Sequence, residues 1–370
     1  MKFQSLESLR GIAAIMVVLF HCPFVVSGQN TLISNGSLFV DFFFVLSGFV
    51  ICFAYFERIQ AGLPFREFAF LRLGRLFPLH AVLILAWLFY QTTGSSASVP
   101  GTDGASFLIN LFFLNSYGLE DALYWNYPSW SISAELFAYL TFFLAVTLLR
   151  HALSTPVALI ISAAAYGLLL IDNPSTIQRS YDLGFLRCLA GFFLGVGVYQ
   201  LHSRLRFIWA TPGTLSEATA LLGILALISF PDPAASLELL TILAFSVCVF
   251  LFARSDGQIA RLLCTEVPAF LGRISYSVYL THALVFMVVT DVAVQMIGIP
   301  SAIIPPPAGQ LRLFYITDHA LALNAFAILL TLVISATTFR LIEDPCRRLS
   351  KALIRPRAPQ PARKPAPAQP

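Results

Sequence analysis

Arg10 and His21 lie eleven residues apart in one long apolar segment near the N-terminus. At about 100° per residue, this spacing returns to almost the same helix face, about 16 Å further along the axis. Asp41 follows in the next apolar segment, where its carboxylate could hold the imidazole of His21 in one tautomer and stabilise the charged form. The pair predicts a general base. Two structural alternatives stay open: a core histidine bonded to a backbone carbonyl, and an ion pair between helices.

Three later apolar segments carry polar groups that would share the same depth if the segments cross a bilayer. Glu135 lies in YPSWSISAELF and Arg187 in FLRCLAGFFLG, while Tyr279 and His282 lie three apart on one helix face in SYSVYLTH. Arg187 is the expected partner of Asp41 or Glu135. A charge at the centre of a bilayer costs at least about 2.5–3.5 kcal/mol. Several such groups at neighbouring depths therefore predict an enclosed polar chamber that opens outward.

A second group of cations belongs to the opposite side of the membrane. Arg72 and Arg75 lie three apart in RLGRLFPLH, and Arg10 and Arg66 fall in the same predicted inner region. Guanidinium groups at positions i and i+3 can bind phosphate oxygens with paired hydrogen bonds. The alternative is ordinary anchoring of a membrane helix by positive charge. The number of arginines favours phosphate binding.

The elements that carry these residues are predicted to be transmembrane helices. Of the 370 residues, 58% are hydrophobic and only 11% are charged, against about 25% charged in a soluble domain. The mean hydropathy is +0.79. Segment 106–117 is apolar but too short to cross, and is predicted to be interfacial or re-entrant. About ten segments approach the roughly 20 residues that a span needs: 8–27, 37–56, 76–92, 131–149, 155–171, 183–200, 213–230, 237–253, 275–296 and 319–341.

The distribution of arginines predicts the orientation of these spans. With the N-terminus in the cytoplasm, most arginines outside the spans fall on the cytoplasmic side, as the positive-inside rule requires. We therefore predict an all-α polytopic membrane protein with both termini cytoplasmic. Its membrane domain covers residues 1–346, and a basic tail rich in Pro and Ala, residues 347–370, is predicted to be disordered and to lie near membrane lipid. Loop 93–130 is predicted to form the rim of an outer site.

Composition also excludes several classes of protein. The six cysteines are scattered, without a C-x-x-C pair or a Cys/His cluster, so neither a disulfide framework nor a metal site is expected. Nucleic acid is not an expected partner of so apolar a chain. The first apolar segment lacks a cleavage site of the A-x-A kind and is predicted to be a retained span rather than a signal peptide.

Five motifs occur in the order of a known membrane enzyme family: ESLRGIAAIMVVLFH, VDFFFVLSGF, RLGRLFPLH, WSISAELF and SYSVYLTH. Over about residues 5 to 346 the chain resembles the acyltransferase-3 family, which O-acylates glycans and other extracytoplasmic acceptors. The resemblance implies acyl-CoA, most often acetyl-CoA, as the cytoplasmic donor. A glycan hydroxyl outside a bacterial inner membrane would be the acceptor. Many relatives carry an added esterase domain of the SGNH type, whereas this chain is expected to be a stand-alone enzyme.

The predicted roles combine the residue patterns with this resemblance. His21 would be the general base, or alternatively an acyl-carrying nucleophile. Trp130 fits an interfacial aromatic belt at least as well as a site. A proton-coupled transporter and a carrier that moves acyl groups across the membrane are the rival functions. The predicted site consists of catalytic His21, Asp41 and Glu135, donor-binding Arg10, Arg72 and Arg75, and supporting Trp130, Ser133, Arg187, Tyr279 and His282.

Overall fold

A computed structural model describes residues 3–25, 31–93, 102–205, 210–231, 233–300, 302–304 and 314–354. The helices are α1 Gln4–Phe20, α2 Thr31–Ser34, α3 Phe39–Gln60, α4 Phe65–Thr93, α5 Gly104–Leu111, α6 Trp130–Leu149, α7 Thr155–Asp172, α8 Gly184–Leu205, α9 Thr214–Ile228, α10 Ala235–Phe252, α11 Gln258–Leu263, α12 Glu266–Asp291, α13 Ala320–Thr338 and α14 Asp344–Ile354. Three short strands, β1 Phe24–Val25, β2 Ala302–Ile304 and β3 Phe314–Ile316, complete the fold.

The helices confirm an all-α polytopic membrane protein. Within the described residues, eight segments are long and apolar enough to cross a bilayer; they contain α3, α4, α6, α7, α8, α10, α12 and α13. The other two predicted spans coincide with α1, at 17 residues, and α9, at 15 residues, which are shorter. At eight residues, α5 is too short to cross.

Glycines allow two pairs of helices to pack with their backbones nearly in contact. A Cβ on Gly195 of α8 would lie 2.0 Å from the carbonyl oxygen of Val45 in α3, and one on Gly48 would lie 1.9 Å from that of Phe192. Gly272 makes a similar approach between α12 and α1. Small residues at such crossings are the usual means by which membrane helices pack closely. These two contacts fix the helices that carry most of the polar residues.

A small sheet covers the end of α1 that carries His21. Its order is β1-β3-β2, with β1 parallel and β2 antiparallel to β3. The side chain of Asn324, on α13, binds the backbone of Phe24 on both sides: Nδ2 donates to the carbonyl oxygen at 2.7 Å, and Oδ1 accepts from the amide at 3.4 Å. The chain just after His21 is therefore tied to α13.

Two boundaries differ from the sequence prediction. The third span begins earlier, at Phe65, so Arg72 and Arg75 belong to a helix and not to an inner loop. The predicted disordered tail begins as helix α14, because Asp344 in its first turn forms ion pairs with Arg347 and Arg348 at i+3 and i+4. The rest of that tail, 355–370, and the start of the outer loop, 94–101, lie outside the described residues.

Candidate active site

His21 lies at the C-terminal end of α1, where its backbone amide closes the last turn of the helix. Its ring nitrogen Nδ1 is 2.8 Å from the carbonyl oxygen of Val17. A carbonyl can only accept, so Nδ1 carries the hydrogen and Nε2 is the basic nitrogen of this tautomer. The backbone of α1 itself thus sets the tautomer of His21.

A second histidine lies directly beside the first. The ring centroid of His282, on α12, is 5.0 Å from that of His21, and the ring of Tyr127 lies 5.0 Å from His21 on another side. Tyr279 lies one turn before His282, and its ring centroid is 6.0 Å from that of His282. His282 is fully buried, whereas His21 is half-buried. The predicted clustering of His21, Tyr279 and His282 is confirmed, and Tyr127 joins them.

A cavity extends from Tyr279, beside this cluster of rings, to the arginines nearer the other end of α1. Tyr279 and Ser131 line the end near the histidines and are hydrogen-bonded to each other at 2.8 Å. Arg10 and Arg75 line the opposite end. Its middle carries apolar side chains from α3 and α6, namely Phe43, Phe44, Val50, Ile51 and Ile132. Members of both groups of polar residues predicted from the sequence, Arg10 and Arg75 from one and Glu135 and Tyr279 from the other, therefore line the same cavity.

Glu135 projects into the middle of this cavity from α6. Its Oε1 accepts hydrogen bonds from the hydroxyls of Ser47 and Tyr139, both at 2.5 Å. These two bonds hold the half-buried carboxylate in place. Glu135 also lies close enough to Arg75 for a Coulombic interaction, without an ion pair between them in the described residues. The carboxylate therefore belongs to the cavity and not to a salt bridge between helices.

The three predicted donor-binding arginines have different surroundings. Arg72 is buried, donates to the hydroxyl of Tyr55 at 2.6 Å and lies over that ring, 4.7 Å from its centroid. Arg10 is bound by Ser275 and by the carbonyl oxygen of Gly272 at 2.8 and 2.9 Å. Arg75 has neither a hydrogen bond nor an ion pair in the part of the chain that is described. Arg75 is thus the cation best placed to receive an anion in the cavity.

Asp41 does not orient His21, contrary to the sequence prediction. Both of its oxygens accept from Arg187, Oδ2 from Nη2 at 2.7 Å and Oδ1 from Nε at 3.0 Å. The sequence analysis expected Arg187 to pair with Asp41 or Glu135, and the pairing with Asp41 is confirmed. The guanidinium lies over the ring of Trp130 at 5.5 Å. Trp130 is only 7% exposed, so the interfacial belt proposed for it is wrong.

Ser133 holds a loop and does not line the cavity. Its hydroxyl donates to the carbonyl oxygen of Phe113 at 2.5 Å and contacts the hydroxyl of Ser116 at 2.9 Å. Phe113 has a φ of 59°, which is uncommon for a bulky residue and needs such support. Ser133 is therefore a structural residue at the start of α6.

The predicted outer rim is built on a capped helix. Asp103 caps α5 by accepting from the backbone amide of Ser106 at 2.8 Å, and this bond lowers the pKa of Asp103. Asn110, at the end of α5, donates to both oxygens of Glu120. Burial raises the pKa of Glu120 to about 7, the negative charges of Asp103 and Asp121 add to the rise, and the bonds from Asn110 oppose it.

The sequence analysis missed several polar residues around the cavity. Ser47 and Tyr139 bind Glu135, and Tyr139 could have been found as the residue one helical turn after it in AELFAY. Glu343 is a carboxylate that is 4% exposed, bound by Ser277 at 2.7 Å. Its signal was an acidic residue directly after the last apolar span. None of the described residues form a cluster of three or more His, Cys, Asp or Glu side chains that could hold a metal ion.

Fold and cavity define a polytopic membrane protein in which a cavity extends from Arg10 and Arg75 to Tyr279, the residue that packs beside His282. The profile of the acyltransferase domain, acyltransferase-3, matches residues 3–340, and the chain belongs to this family. It is therefore a membrane acyltransferase.

Named relatives agree with this assignment at low identity. The acyltransferase MdmB of Streptomyces mycarofaciens is 26% identical in an alignment that covers 94% of this chain and 92% of the relative. A Komagataeibacter xylinus protein named as a membrane-bound transacylase, BcsY, is 27% identical in an alignment that covers 75% of this chain and 72% of the relative. No solved structure matches the chain.

Proposed function

We propose that this membrane acyltransferase moves an acyl group, most often acetyl, from cytoplasmic acyl-CoA to a hydroxyl of an extracytoplasmic glycan. The observation that carries the proposal is the single cavity between Arg10 and Arg75 at one end and Tyr279, beside the histidines, at the other. A thioester on a long, thin pantetheine arm would lie in this space, which is charged at the end lined by Arg10 and Arg75 and apolar in its middle.

His21 would act as the general base. Its Nε2 would take the proton of the acceptor hydroxyl while the oxygen attacks the thioester carbonyl carbon. The new C–O bond forms, the C–S bond breaks, and the proton held by His21 passes to the sulfur of CoA. Positioned bases contribute about 10²–10⁴-fold to such steps. The backbone carbonyl of Val17 supports this role, because it keeps the proton on Nδ1.

Neighbouring groups would assist that transfer. His282 and Tyr127 flank the imidazole of His21 and would position the acceptor sugar, whose ring faces pack well against aromatic side chains. Glu135 lies further along the cavity, where its carboxylate would bind polar groups of the pantetheine arm. We propose a bacterial inner membrane as the location, with the arginine-rich end in the cytoplasm.

Continuous helices argue against the transporter alternative. Transporters bind substrates at broken helices, and Gly48, Gly191 and Gly195 are positions within spans where a helix could break. They lie inside continuous helices, α3 and α8, and serve their close packing. An acyl-histidine intermediate on His21 is the remaining variant of the mechanism, and it uses the same residue.

The role of His21 is tested in cells that lack the gene and carry a plasmid copy. His21→Ala should lower the O-acyl content of extracted surface glycans at least about 100-fold at matched membrane expression, measured by mass spectrometry. His151→Ala, which removes an exposed imidazole, is the control and should restore wild-type acylation. Normal acylation by His21→Ala would disprove both the base and the acyl-histidine mechanism. The same spectra identify the acceptor and the acyl mass.

The donor site is tested by separating two neighbouring arginines. With purified protein and labelled acetyl-CoA, Arg75→Ala should raise the KM for the donor about tenfold or more, because it removes a cavity-lining cation whose hydrogen-bond donors no described side chain occupies. Arg72→Ala should instead lower thermal stability, since Arg72 is bound to Tyr55. A normal KM in Arg75→Ala would mean that this arginine only anchors the helix.

A further inference from the structure

Glu343 is a buried carboxylate at the arginine-lined end of the cavity. It ends the π-helical turn Phe339–Glu343, which connects α13 to α14, and it is 4% exposed. Its Oε2 accepts from the hydroxyl of Ser277 at 2.7 Å. A charge so deeply buried needs compensation, because desolvation disfavours it strongly. The described cations that interact with it electrostatically are Arg75, Arg10 and Arg347.

The carboxylate of Glu343 is nevertheless not paired with these arginines. Within the described residues, the only ion pair of Arg10 is with Glu7 at 3.8 Å, and Arg75 has none. Ser277 therefore holds Glu343 at a distance where it compensates the two cations without occupying their hydrogen-bond donors. The charge of Glu343 still interacts appreciably with those of Arg10 and Arg75, because the effective dielectric constant of a partly buried site is lower than that of water.

The surrounding helices fix Glu343 in this position. Helix α14 packs on α4 at Gly74, where the hydroxyl of Ser350 leaves no room for a Cβ. Gly74 directly precedes Arg75. On the neighbouring helix, Tyr276 lines the cavity and donates to the backbone of α4 at Leu76, at 2.6 Å. The C-terminal helix, the serine that binds Glu343 and the cation Arg75 thus belong to one packed unit.

We propose that Glu343 is the resting counter-charge of the donor site. Held away by Ser277, it balances Arg10 and Arg75 while the site is empty and weakens their hold on CoA after transfer. The inference rests on the proposed function, because it takes the anionic donor to bind at these arginines. The carboxylate speeds the exchange of spent CoA for new acyl-CoA, and product release of this kind limits the turnover of many enzymes.

Two substitutions test the proposal because they should act in opposite directions. Glu343→Gln keeps the shape and the bond from Ser277 but removes the charge, so free CoA should bind at least threefold more tightly and turnover should fall. Ser277→Ala keeps the charge and frees the carboxylate to pair with the arginines, so CoA should bind at least threefold more weakly. Binding of labelled CoA to protein in lipid nanodiscs, at fixed ionic strength, measures both.

Controls separate the possible outcomes. Glu57→Gln removes an exposed carboxylate on α3 and should leave CoA binding unchanged. If both test variants weaken binding, or neither changes it, Glu343 is only a packing residue and the proposal is wrong. If the wild type binds no CoA, the donor assignment itself fails. Should Glu343→Gln not fold, Glu343→Asp keeps the charge and should bind CoA within about twofold of wild type, while Ser277→Ala still decides.

Discussion

The buried carboxylates of this protein differ in their partners, and the partners separate structural roles from chemical ones. Asp41 is fully occupied by the two parallel hydrogen bonds from Arg187, an arrangement that holds α3 against α8. Glu135 is bound by hydroxyl groups and lies in the cavity, and Glu343 is bound by a serine beside it. A carboxylate held by a guanidinium on both oxygens is poorly placed to bind a substrate or to orient an imidazole.

Asp41→Ala should therefore act on stability and not selectively on chemistry. It leaves the buried Arg187 without its counter-charge, which typically costs about 3–5 kcal/mol. We expect a lower Tm in detergent and less protein in the membrane. The double variant Asp41→Leu with Arg187→Met should recover part of this loss, because it leaves no unpaired charge. An unchanged Tm with a selective loss of turnover would return Asp41 to the catalytic group.

The neighbours of His21 show which contacts of single residues could be predicted from the sequence. The spacing from Arg10 to His21 and from Tyr279 to His282 predicted shared helix faces, and the structure brings these histidines together. The same reasoning assigned Asp41 to His21 because their depths matched. Depth in the membrane does not determine which face of a helix meets which neighbour. The rotation of α3 about its axis points Asp41 toward Arg187.

Single helices are positioned by glycine contacts that the hydropathy pattern does not contain. Helices α3 and α8 approach through Gly48 and Gly195, and α1 approaches α12 through Gly272. The α1–α12 crossing also brings Arg10 to Ser275 and Gly272 of α12, which it hydrogen-bonds. The sequence predicted the eight helices that are long enough to span, but it gave no reason to pair α3 with α8, which are far apart along the chain.

Gly195→Ala should disrupt the protein, whereas Gly223→Ala should be tolerated. The new methyl group at Gly195 would lie 2.0 Å from the backbone carbonyl oxygen of Val45, which is a severe steric overlap. A backbone atom inside a helix cannot move aside as a flexible side chain could. Gly223 lies in helix α9 with nothing within 4 Å of the added Cβ, so alanine should be neutral or stabilise by up to about 1 kcal/mol. Folded yield after size-exclusion chromatography compares the two variants. Equal yields would show that the α3–α8 crossing can relax.

The whole molecule has two chemically different ends. Gln4, near the N-terminus, donates to the carbonyl oxygen of Cys264 at 3.0 Å, so the start of α1 and the start of α12 lie at the same end. Arg10 and Arg75 line the cavity toward that end, and His21 lies toward the other. The positive-inside rule assigns the arginine-rich end to the cytoplasm.

Labelling of Cys264 tests this orientation. Cys264 is the one exposed cysteine within the described residues, and Cys346 is half-buried. In a Cys346→Ala background, a maleimide that cannot cross membranes should label Cys264 in opened membranes and not in intact cells. The Cys264→Ala variant shows the background signal. If Cys264 were labelled as fast in intact cells as in opened membranes, the predicted orientation would be inverted.

The sequence by itself determined the class of molecule. Apolar segments of membrane-spanning length dictate helices, because a bilayer leaves the backbone no other partner for its hydrogen bonds. The five motifs identified the family, and helical periodicity identified the faces that carry Arg10, His21, Tyr279 and His282. Strands β1 to β3 were not predicted, since they are too short to show a pattern of their own.

Only the tertiary structure decided which possible partners meet, because the sequence left Arg187 to either Asp41 or Glu135 and did not connect Ser277 with Glu343. Asp41 and Arg187 are 146 residues apart, and Ser277 and Glu343 are 66 apart. The order of helices around the cavity and the rotation of each about its axis select these contacts. The hydropathy pattern indicates the depth of each residue in the membrane and the helix face on which it lies. It does not indicate which helices are neighbours. Arg75 was therefore predicted as one of several arginines, while the fold made it the one without a bound partner among the three predicted donor-binding arginines.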